Sequence, residues 1–305
     1  MSIFPTKILL ATDGSEEAAL ASQTAADVAE KTGSELHVVH VAYLLPMSSE
    51  LSYMASRAYE EAHEEAKREA QKLLDEQVRM IQEGGGNVAD AHLRTGRPDE
   101  EVIRLSEELG AGLIVVGSRG LGGIKRALVG SVSESVVRHS HCPVLVVRGE
   151  KDRLPVFPLK RILLGTDGSE EATLAARTAA DLAQKMGSEL HVVLVELSTA
   201  YVGMGPPEIA DIPAPEQEEL DEEAQSLLDT QVRQIEADGG TVTRAYLRVG
   251  RSDVEIVALA EELGAGLIAV GSRGLGGIRR ALMGSVSDSV VRHAHCPVLV
   301  IRKDK

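Results

Sequence analysis

Short apolar runs alternate with longer amphipathic stretches along the chain. The run at residues 7–12 (KILLAT) precedes an Ala-rich stretch that begins after Ser15 and stops at Gly33. Buried strands read as short apolar runs, and helices as longer periodic segments between caps and glycines, so this pattern predicts a strand followed by a helix. In the first half of the chain we predict strands at residues 7–12, 35–41, 88–94, 112–116 and 144–147.

Helices are predicted between these strands. After the Ala-rich helix, they span residues 58–83, 98–109 and 131–138. Strands that alternate with helices indicate a parallel sheet with helices on both faces. Right-handed crossovers make this a doubly wound, Rossmann-like α/β sheet, whose ligand crevice lies at the carboxyl ends of the strands.

The second half of the chain repeats the first. The segment KILLATDGSEEAAL at 7–20 returns as RILLGTDGSEEATL at 161–174, and residues 113–148 agree with residues 267–302 at 30 of 36 positions. A unit of this length is a duplicated domain and not a solenoid repeat. We therefore predict tandem domains at 1–148 and 158–305, joined by a charged, Pro-containing linker at 149–157.

Composition narrows the function classes. Hydrophobic residues make up 43% of the 305 residues and aromatic residues 2%, so aliphatic side chains must fill a sheet buried on both faces. The net charge of −15 and the scarcity of aromatic rings argue against nucleic acid as a partner, since such proteins use cationic surfaces and stacking. We find no cleavage pattern and no apolar run of roughly 20 residues, which leads us to expect a cytoplasmic protein with no membrane partner.

A glycine-rich segment follows the fourth strand of each half. Gly117, Gly120, Gly130 and Ser131 form a G-x2-G-x9-G-S pattern that recurs 154 residues later. The first glycines allow backbone N–H groups to approach an anion, and Gly130-Ser131 opens a helix whose first N–H groups are unpaired. We predict a phosphate cradle; the alternative is that the glycines only form turns and helix stops. The pattern is neither a Walker A loop nor the dinucleotide fingerprint.

Polar side chains complete the predicted crevice. Asp13 follows the first strand, which flanks the switch point together with the fourth, so its carboxylate should face the glycine segment. It could accept hydrogen bonds from ribose hydroxyls or a base amino group, or it could cap a helix or form an Asx turn, and these roles are compatible. The hydroxyls of Ser131 and Ser133 are expected to contact the anion. Positive charge near it is expected from Arg119, with Lys125 or Arg126 as further candidates.

Three features together resemble the universal stress protein family over both halves: the Asp-Gly-Ser after the first strand, the glycine pattern, and the final Cys-Pro-Val-Leu-Val-Val strand. The glycine pattern resembles that of the ATP-binding branch. The resemblance implies a regulatory or protective protein with one ATP, accompanied by Mg²⁺, in each domain. The nucleotide would act as a switch of conformation or of an unidentified protein partner. Pairing of the domains through their fifth strands as an intrachain pseudo-dimer is also implied, and a homodimer of whole chains is compatible with it.

The resemblance also implies which residues contact the nucleotide. In the first half, Asp13 and the Val41 backbone would contact adenosine, and Gly117, Arg119, Gly120, Gly130, Ser131, Val132 and Ser133 the phosphates and ribose. The second half offers Asp167, Val195, Gly271, Arg273, Gly274, Gly284, Ser285, Val286 and Ser287. One departure, Gly165 where the first half has Ala11, is expected to widen the base side of the second site.

The sequence favours neither a metal site nor a disulfide. His139, His141 and Cys142 suggest a metal site, but no fourth ligand is near and alternation separates the cysteine from the histidines, so we expect none. Cys142 and Cys296 begin the fifth strands, and antiparallel pairing would hold them beyond disulfide reach.

Without a placed catalytic set we expect no dedicated enzyme, with slow ATP hydrolysis or nucleotidyl transfer as the alternative. The two halves differ most in the loops at 42–61 and 196–217. Each loop is either a surface segment whose sequence varies freely or a lid over the crevice.

Overall fold

The computed structural model describes residues 6–43, 56–121, 129–149, 159–196, 217–275 and 283–303. The chain divides into two compact units, one for each copy of the repeat. Among the residues described, no helix is both long enough and apolar enough to cross a membrane.

The first unit is a five-stranded parallel sheet with the order β3-β2-β1-β4-β5. The chain starts at the centre of the sheet, moves to one edge and returns to the other side, so a switch point lies between β1 and β4. Its strands are β1 Lys7–Ala11, β2 Glu35–Ala42, β3 Asp90–Thr95, β4 Leu113–Gly117 and β5 Val144–Val147. Its helices are α1 Glu16–Thr32, α2 Ser56–Glu83, α3 Pro98–Leu109 and α4 Ser131–His139.

The second unit repeats this topology with the order β8-β7-β6-β9-β10. Its strands are β6 Arg161–Thr166, β7 Glu189–Glu196, β8 Arg244–Val249, β9 Leu267–Gly271 and β10 Val298–Ile301. Its helices are α5 Glu170–Met186, α6 Gln217–Ala237, α7 Ser252–Leu263 and α8 Ser285–His293. The predicted fold class, two tandem doubly wound sheets of five parallel strands, is confirmed.

The core explains why the central strands are continuous apolar runs. Ile8, Leu9 and Leu10 of β1 are all fully buried, because helices cover both faces of the sheet and no position of the strand faces water. Helix α1 presents the small side chains of Ala21 and Ala25 to the core, both fully buried. These small residues let the helix backbone lie close to β4, so the first turn of α1 approaches the end of β4 beside the crevice.

Candidate functional site

A cavity of about 490 Å³ opens at the carboxyl ends of β1, β2 and β4 in the first unit. Its size is typical of small-molecule sites, which span roughly 300–1,000 Å³. The switch point brings all the expected first-half contacts to its wall: Asp13, Val41, Gly117, Arg119, Gly120, Gly130, Ser131, Val132 and Ser133.

One side of the cavity is apolar. Val39 and Val41 lie on the same face of β2, since side chains two residues apart in a strand point the same way. Pro98 and Val102 of α3 also line the cavity, together with Ala11 at the end of β1. This wall suits a flat, apolar ligand group.

The Asp13 carboxylate joins the two loops that form the polar side. Its Oδ1 accepts from the Ser15 N–H at 3.0 Å, which is an Asx turn, and its Oδ2 accepts from the Leu121 N–H on the glycine segment at 2.9 Å. Ser15 in turn caps α1 by accepting from the Ala18 N–H at 3.2 Å. Both sequence-level roles of Asp13, the local turn and the position facing the glycine segment, therefore occur together.

Two glycines of the cradle, Gly117 and Gly120, are required for space and not for backbone conformation. None of Gly117, Gly120 and Gly130 has a positive φ. A Cβ at Gly120 would lie 2.2 Å from Asp13 Oδ2, and a Cβ at Gly117 would lie 3.0 Å from the Glu17 carbonyl oxygen in the first turn of α1. This geometry favours the close-approach interpretation over the alternative that the glycines only form turns.

The amino end of α4 points its unpaired donors at the cavity. Within α4 the first backbone bond runs from the Glu134 N–H to the Gly130 carbonyl at 2.9 Å, so the N–H groups of Ser131, Val132 and Ser133 have no acceptor in the helix. Among the described residues no side chain caps this end. Since the helix dipole adds partial positive charge there, the wall formed by Ser131, Val132 and Ser133 favours an anion.

The Ser133 hydroxyl has a different role from the one expected. Its Oγ donates to the Gly117 carbonyl at 2.7 Å and is buried, so its proton is used inside the protein. Ser287 likewise donates to the Ser272 carbonyl at 2.9 Å. These serines hold the start of the helix against the end of the strand, which leaves their backbone N–H groups, and not their hydroxyl protons, available to a ligand.

Arg119 carries a partner that the sequence did not suggest. Its Nε donates to Glu17 Oε1 at 2.5 Å, and Ser118 Oγ donates to the other oxygen of the same carboxylate. The Glu17 side chain is 10% exposed and the Arg119 side chain 42%. The cation at the cavity wall is therefore held beside a nearly buried anion.

The second unit repeats the carboxylate and salt-bridge arrangements, but the hydroxyl of Ser272, which matches Ser118, makes no hydrogen bond among the described residues. Asp167 accepts from the N–H groups of Ser169 at 3.0 Å and Leu275 at 2.9 Å, and a Cβ at Gly274 would lie 2.2 Å from its Oδ2. Arg273 pairs with Glu171 at 2.9 Å. The other expected contacts lie at the matching places: Val195 near the end of β7, Gly271 at the end of β9, and Gly284, Ser285, Val286 and Ser287 at the start of α8.

The expected widening of the second site at Gly165 is wrong. A Cβ at this position would lie 2.9 Å from Ile256 Cδ1 and 3.3 Å from Val270 Cγ1. The first half has Val102 at the position matching Ile256. The extra methyl group of the isoleucine fills the space that the alanine methyl takes in the first half, so the exchange conserves volume.

This compensation predicts a coupled pair of substitutions. Gly165→Ala alone should lower the free energy of unfolding by about 1–3 kcal/mol, because it overpacks the site. Adding Ile256→Val recreates the Ala11 and Val102 pair of the first half and should recover most of the loss. Chemical unfolding of both single variants and the double variant measures the coupling. Additive single effects would contradict it.

Several other residues that the sequence suggested either fall outside the described part of the chain or do not line the cavity. Lys125 and Arg126 fall outside the described residues, as do most of the divergent loops at 42–61 and 196–217. His139 Nδ1 lies 2.8 Å from the Ser135 carbonyl within its own helix, and Cys142 and Cys296 are buried. Among the residues described, the one cluster with metal-ligand spacing is a different one, His37, Asp90 and His92.

Comparison with known proteins agrees with the duplicated fold. The model of the universal stress protein family matches residues 5–148 and again residues 158–302. A universal stress protein of Mycolicibacterium smegmatis is 32% identical, with 97% of this chain and 96% of the relative covered. Universal stress protein YxiE of Bacillus subtilis is 35% identical over 146 residues, which are 98% of its length but 47% of this chain.

A solved structure extends the likeness to the whole fold. The crystal structure of a universal stress protein from Archaeoglobus fulgidus DSM 4304 covers 98% of both chains with a TM-score of 0.70 at 27% identity. The double family match and the full-length relative show the family directly. The chain belongs to the universal stress protein family.

Proposed function

We propose that this protein binds one ATP, with Mg²⁺, in each domain, and that the nucleotide acts as a switch of conformation or partner choice. The observation that carries the proposal is the first-domain cavity, which joins an apolar slot to an uncapped helix start. The slot formed by Val39, Val41 and Val102 suits an adenine ring. The amino end of α4 suits the phosphates.

The fit of the residues to a triphosphate rests on space as much as on charge. A side chain at Gly120 would meet Asp13 and would stand in the approach to the backbone N–H groups. Asp13 already accepts two backbone N–H groups, which leaves its remaining lone pairs for ribose hydroxyls. Mg²⁺ keeps several waters and is usually held by phosphate oxygens, so it needs few protein ligands here.

A regulatory role accounts for the cavity better than catalysis does. Within the described part of the chain, two carboxylates line it: Asp13, which is held by backbone donors, and Glu134, which pairs with Arg138 at 2.9 Å. A general base must be within hydrogen-bond reach of the proton that it removes, and it must be available to take it. With both groups engaged, the residues support a binding site that holds its nucleotide.

The proposal predicts two equivalents of bound MgATP per chain. Nucleotide-free protein is titrated calorimetrically, and we expect thermal unfolding to move upward with ligand, because binding to the folded state stabilises it. Failure of both domains to bind ATP would overturn the proposal. Recovered nucleotide is then separated by chromatography, and ADP or a transferred nucleotidyl group formed over multiple turnovers would favour the hydrolase or transferase alternative.

Organisation and partners belong to the same proposal. We infer a cytoplasmic protein of two domains joined by the linker at 149–157, with no nucleic acid partner. Pairing of the fifth strands, homodimer formation and an unidentified protein partner stay predictions. Light scattering of the full chain with and without MgATP measures the chain mass, and a ligand-dependent mass would identify assembly as the switched property.

A further inference from the structure

Two histidines and an aspartate meet near the amino ends of β2 and β3. The parallel register places His37 beside Asp90 and Val39 beside His92. Because alternate residues of a strand share a face, His37, Asp90 and His92 project to the same side of the sheet. One ligand atom from each of the three lies within 4.8 Å of the other two.

The distances match the edges of a small coordination polyhedron. His37 Nδ1 lies 3.2 Å from His92 Nε2, and Asp90 Oδ2 lies 3.7 Å from the same nitrogen. Zinc binds histidine nitrogen at about 2.0–2.1 Å, so two ligands of a tetrahedral ion are about 3.3–3.4 Å apart. A hydrogen bond between two neutral imidazoles would give the same nitrogen separation, so further observations must distinguish them.

The outer ring nitrogen of His37 supplies one observation that favours a metal site over a hydrogen bond. Its Nε2 is buried and has no hydrogen-bond partner among the described residues, while Glu35 Oε2 lies 3.7 Å away. A metal-bound histidine commonly directs its second N–H to a carboxylate, which fixes the ring.

The second domain shows the same scaffold but keeps only one of the three ligands. His191 and Glu189 match His37 and Glu35, but Tyr246 stands where the first domain has His92, and Arg244 where it has Asp90. There the Tyr246 hydroxyl lies 3.3 Å from His191 Nδ1, and the Arg244 guanidinium stacks 5.0 Å from the tyrosine ring centre. The chain therefore carries its own matched control.

We propose that the first domain binds one Zn²⁺ through His37 Nδ1, His92 Nε2 and Asp90 Oδ2, with water as the fourth ligand. Two imidazoles and one carboxylate suit zinc, whereas Ca²⁺ and Mg²⁺ prefer all-oxygen sites. The ion would clamp the edge strand β3 to β2. Its ligands come from the amino halves of these strands, whereas the nucleotide cavity lies at carboxyl ends, so neither proposal depends on the other.

The test compares chelator-treated full-length protein with the double variant Asp90→Arg, His92→Tyr, which installs the residues of the second domain. We expect the unmodified chain to bind one equivalent of Zn²⁺ in calorimetric titration with ZnCl₂, and its unfolding temperature to rise with the metal. The variant should bind at least about 100-fold more weakly, since two of its three ligands are gone. Equal zinc binding by both proteins, or none by either, would overturn the proposal.

The reverse transplant guards against a variant that loses zinc by misfolding. Arg244→Asp with Tyr246→His should give the second domain a site and raise the stoichiometry from one zinc to two. Co²⁺ serves as a second probe, because tetrahedral cobalt absorbs visible light and the absorbance should double. A second domain that gains no ion would contradict the assigned geometry. MgATP titration of the same variants should be unchanged, which separates this proposal from the nucleotide proposal.

Discussion

Gly120→Ala should abolish ATP binding in the first domain, with a loss of at least about 100-fold in affinity, or ~2.7 kcal/mol. The added methyl carbon would lie 2.2 Å from Asp13 Oδ2, far inside van der Waals contact. Either the glycine segment or the carboxylate must move. Both lie in the wall that we assign to the nucleotide, so either movement spoils the cradle.

The carboxylate cannot move without cost, because the Ser15 and Leu121 N–H groups hold it. Losing a hydrogen bond to a charged group costs roughly 1.5–3 kcal/mol. Gly120→Ala should therefore also lower the stability of the first domain by about that much, whether or not nucleotide is present. Gly274→Ala should act in the same way on Asp167, where the clash distance is again 2.2 Å.

Calorimetry with MgATP separates the two sites. We expect two equivalents for the unmodified chain, one for each single variant and none for the double variant. Gly84→Ala is the matched control, because Gly84 has no positive φ and its added Cβ would lie 3.4 Å from the nearest atoms, an ordinary contact outside the cavity. Two full-affinity equivalents in Gly120→Ala would show that the cradle is not the nucleotide site.

The fold could be predicted because its determinants are local. A run such as Ile8-Leu9-Leu10 has no polar position, which indicates a strand buried on both faces. Gly33 ends the Ala-rich helix, as the sequence predicts, and Gly110 follows the helix predicted at 98–109; both have the left-handed backbone of a helix C-cap. Alternation and crossover handedness then leave few topologies, and these bring Asp13 and Gly120 to the same edge of the sheet.

The rest depends on contacts between distant positions. In the sequence, Glu17 is an acidic residue in the first turn of a helix, where its charge interacts favourably with the helix dipole. In the structure its carboxylate pairs with Arg119, about a hundred residues away. His37 and His92 meet only because of the register between β2 and β3, which hydrophobic pattern alone does not fix to one residue on an edge strand. Ile256 compensates for Gly165 through side-chain packing, which no spacing rule reports.

The Glu17–Arg119 pair leads to the second major prediction: Glu17→Gln should raise ATP affinity in the first domain by about tenfold. The carboxylate is 10% exposed and neutralises the cation at the cavity wall. A unit charge a few ångströms from a phosphate is worth on the order of 1–4 kcal/mol near a protein surface. Glutamine keeps the shape and the acceptor oxygen, so it removes the charge while leaving Arg119, which is 42% exposed and can be hydrated.

The charge dependence of the effect distinguishes electrostatics from a change of shape. Titration with ATP, ADP, AMP and adenosine should show the largest gain for ATP and none for adenosine, because only the phosphates respond to the removed charge. Glu16→Gln is the control, since the exposed Glu16 precedes Glu17 and its loss changes the net charge equally. Weaker ATP binding by Glu17→Gln would contradict the prediction. It would mean that Glu17 holds Arg119 in its binding position, and that this effect outweighs the repulsion between the carboxylate and the phosphates.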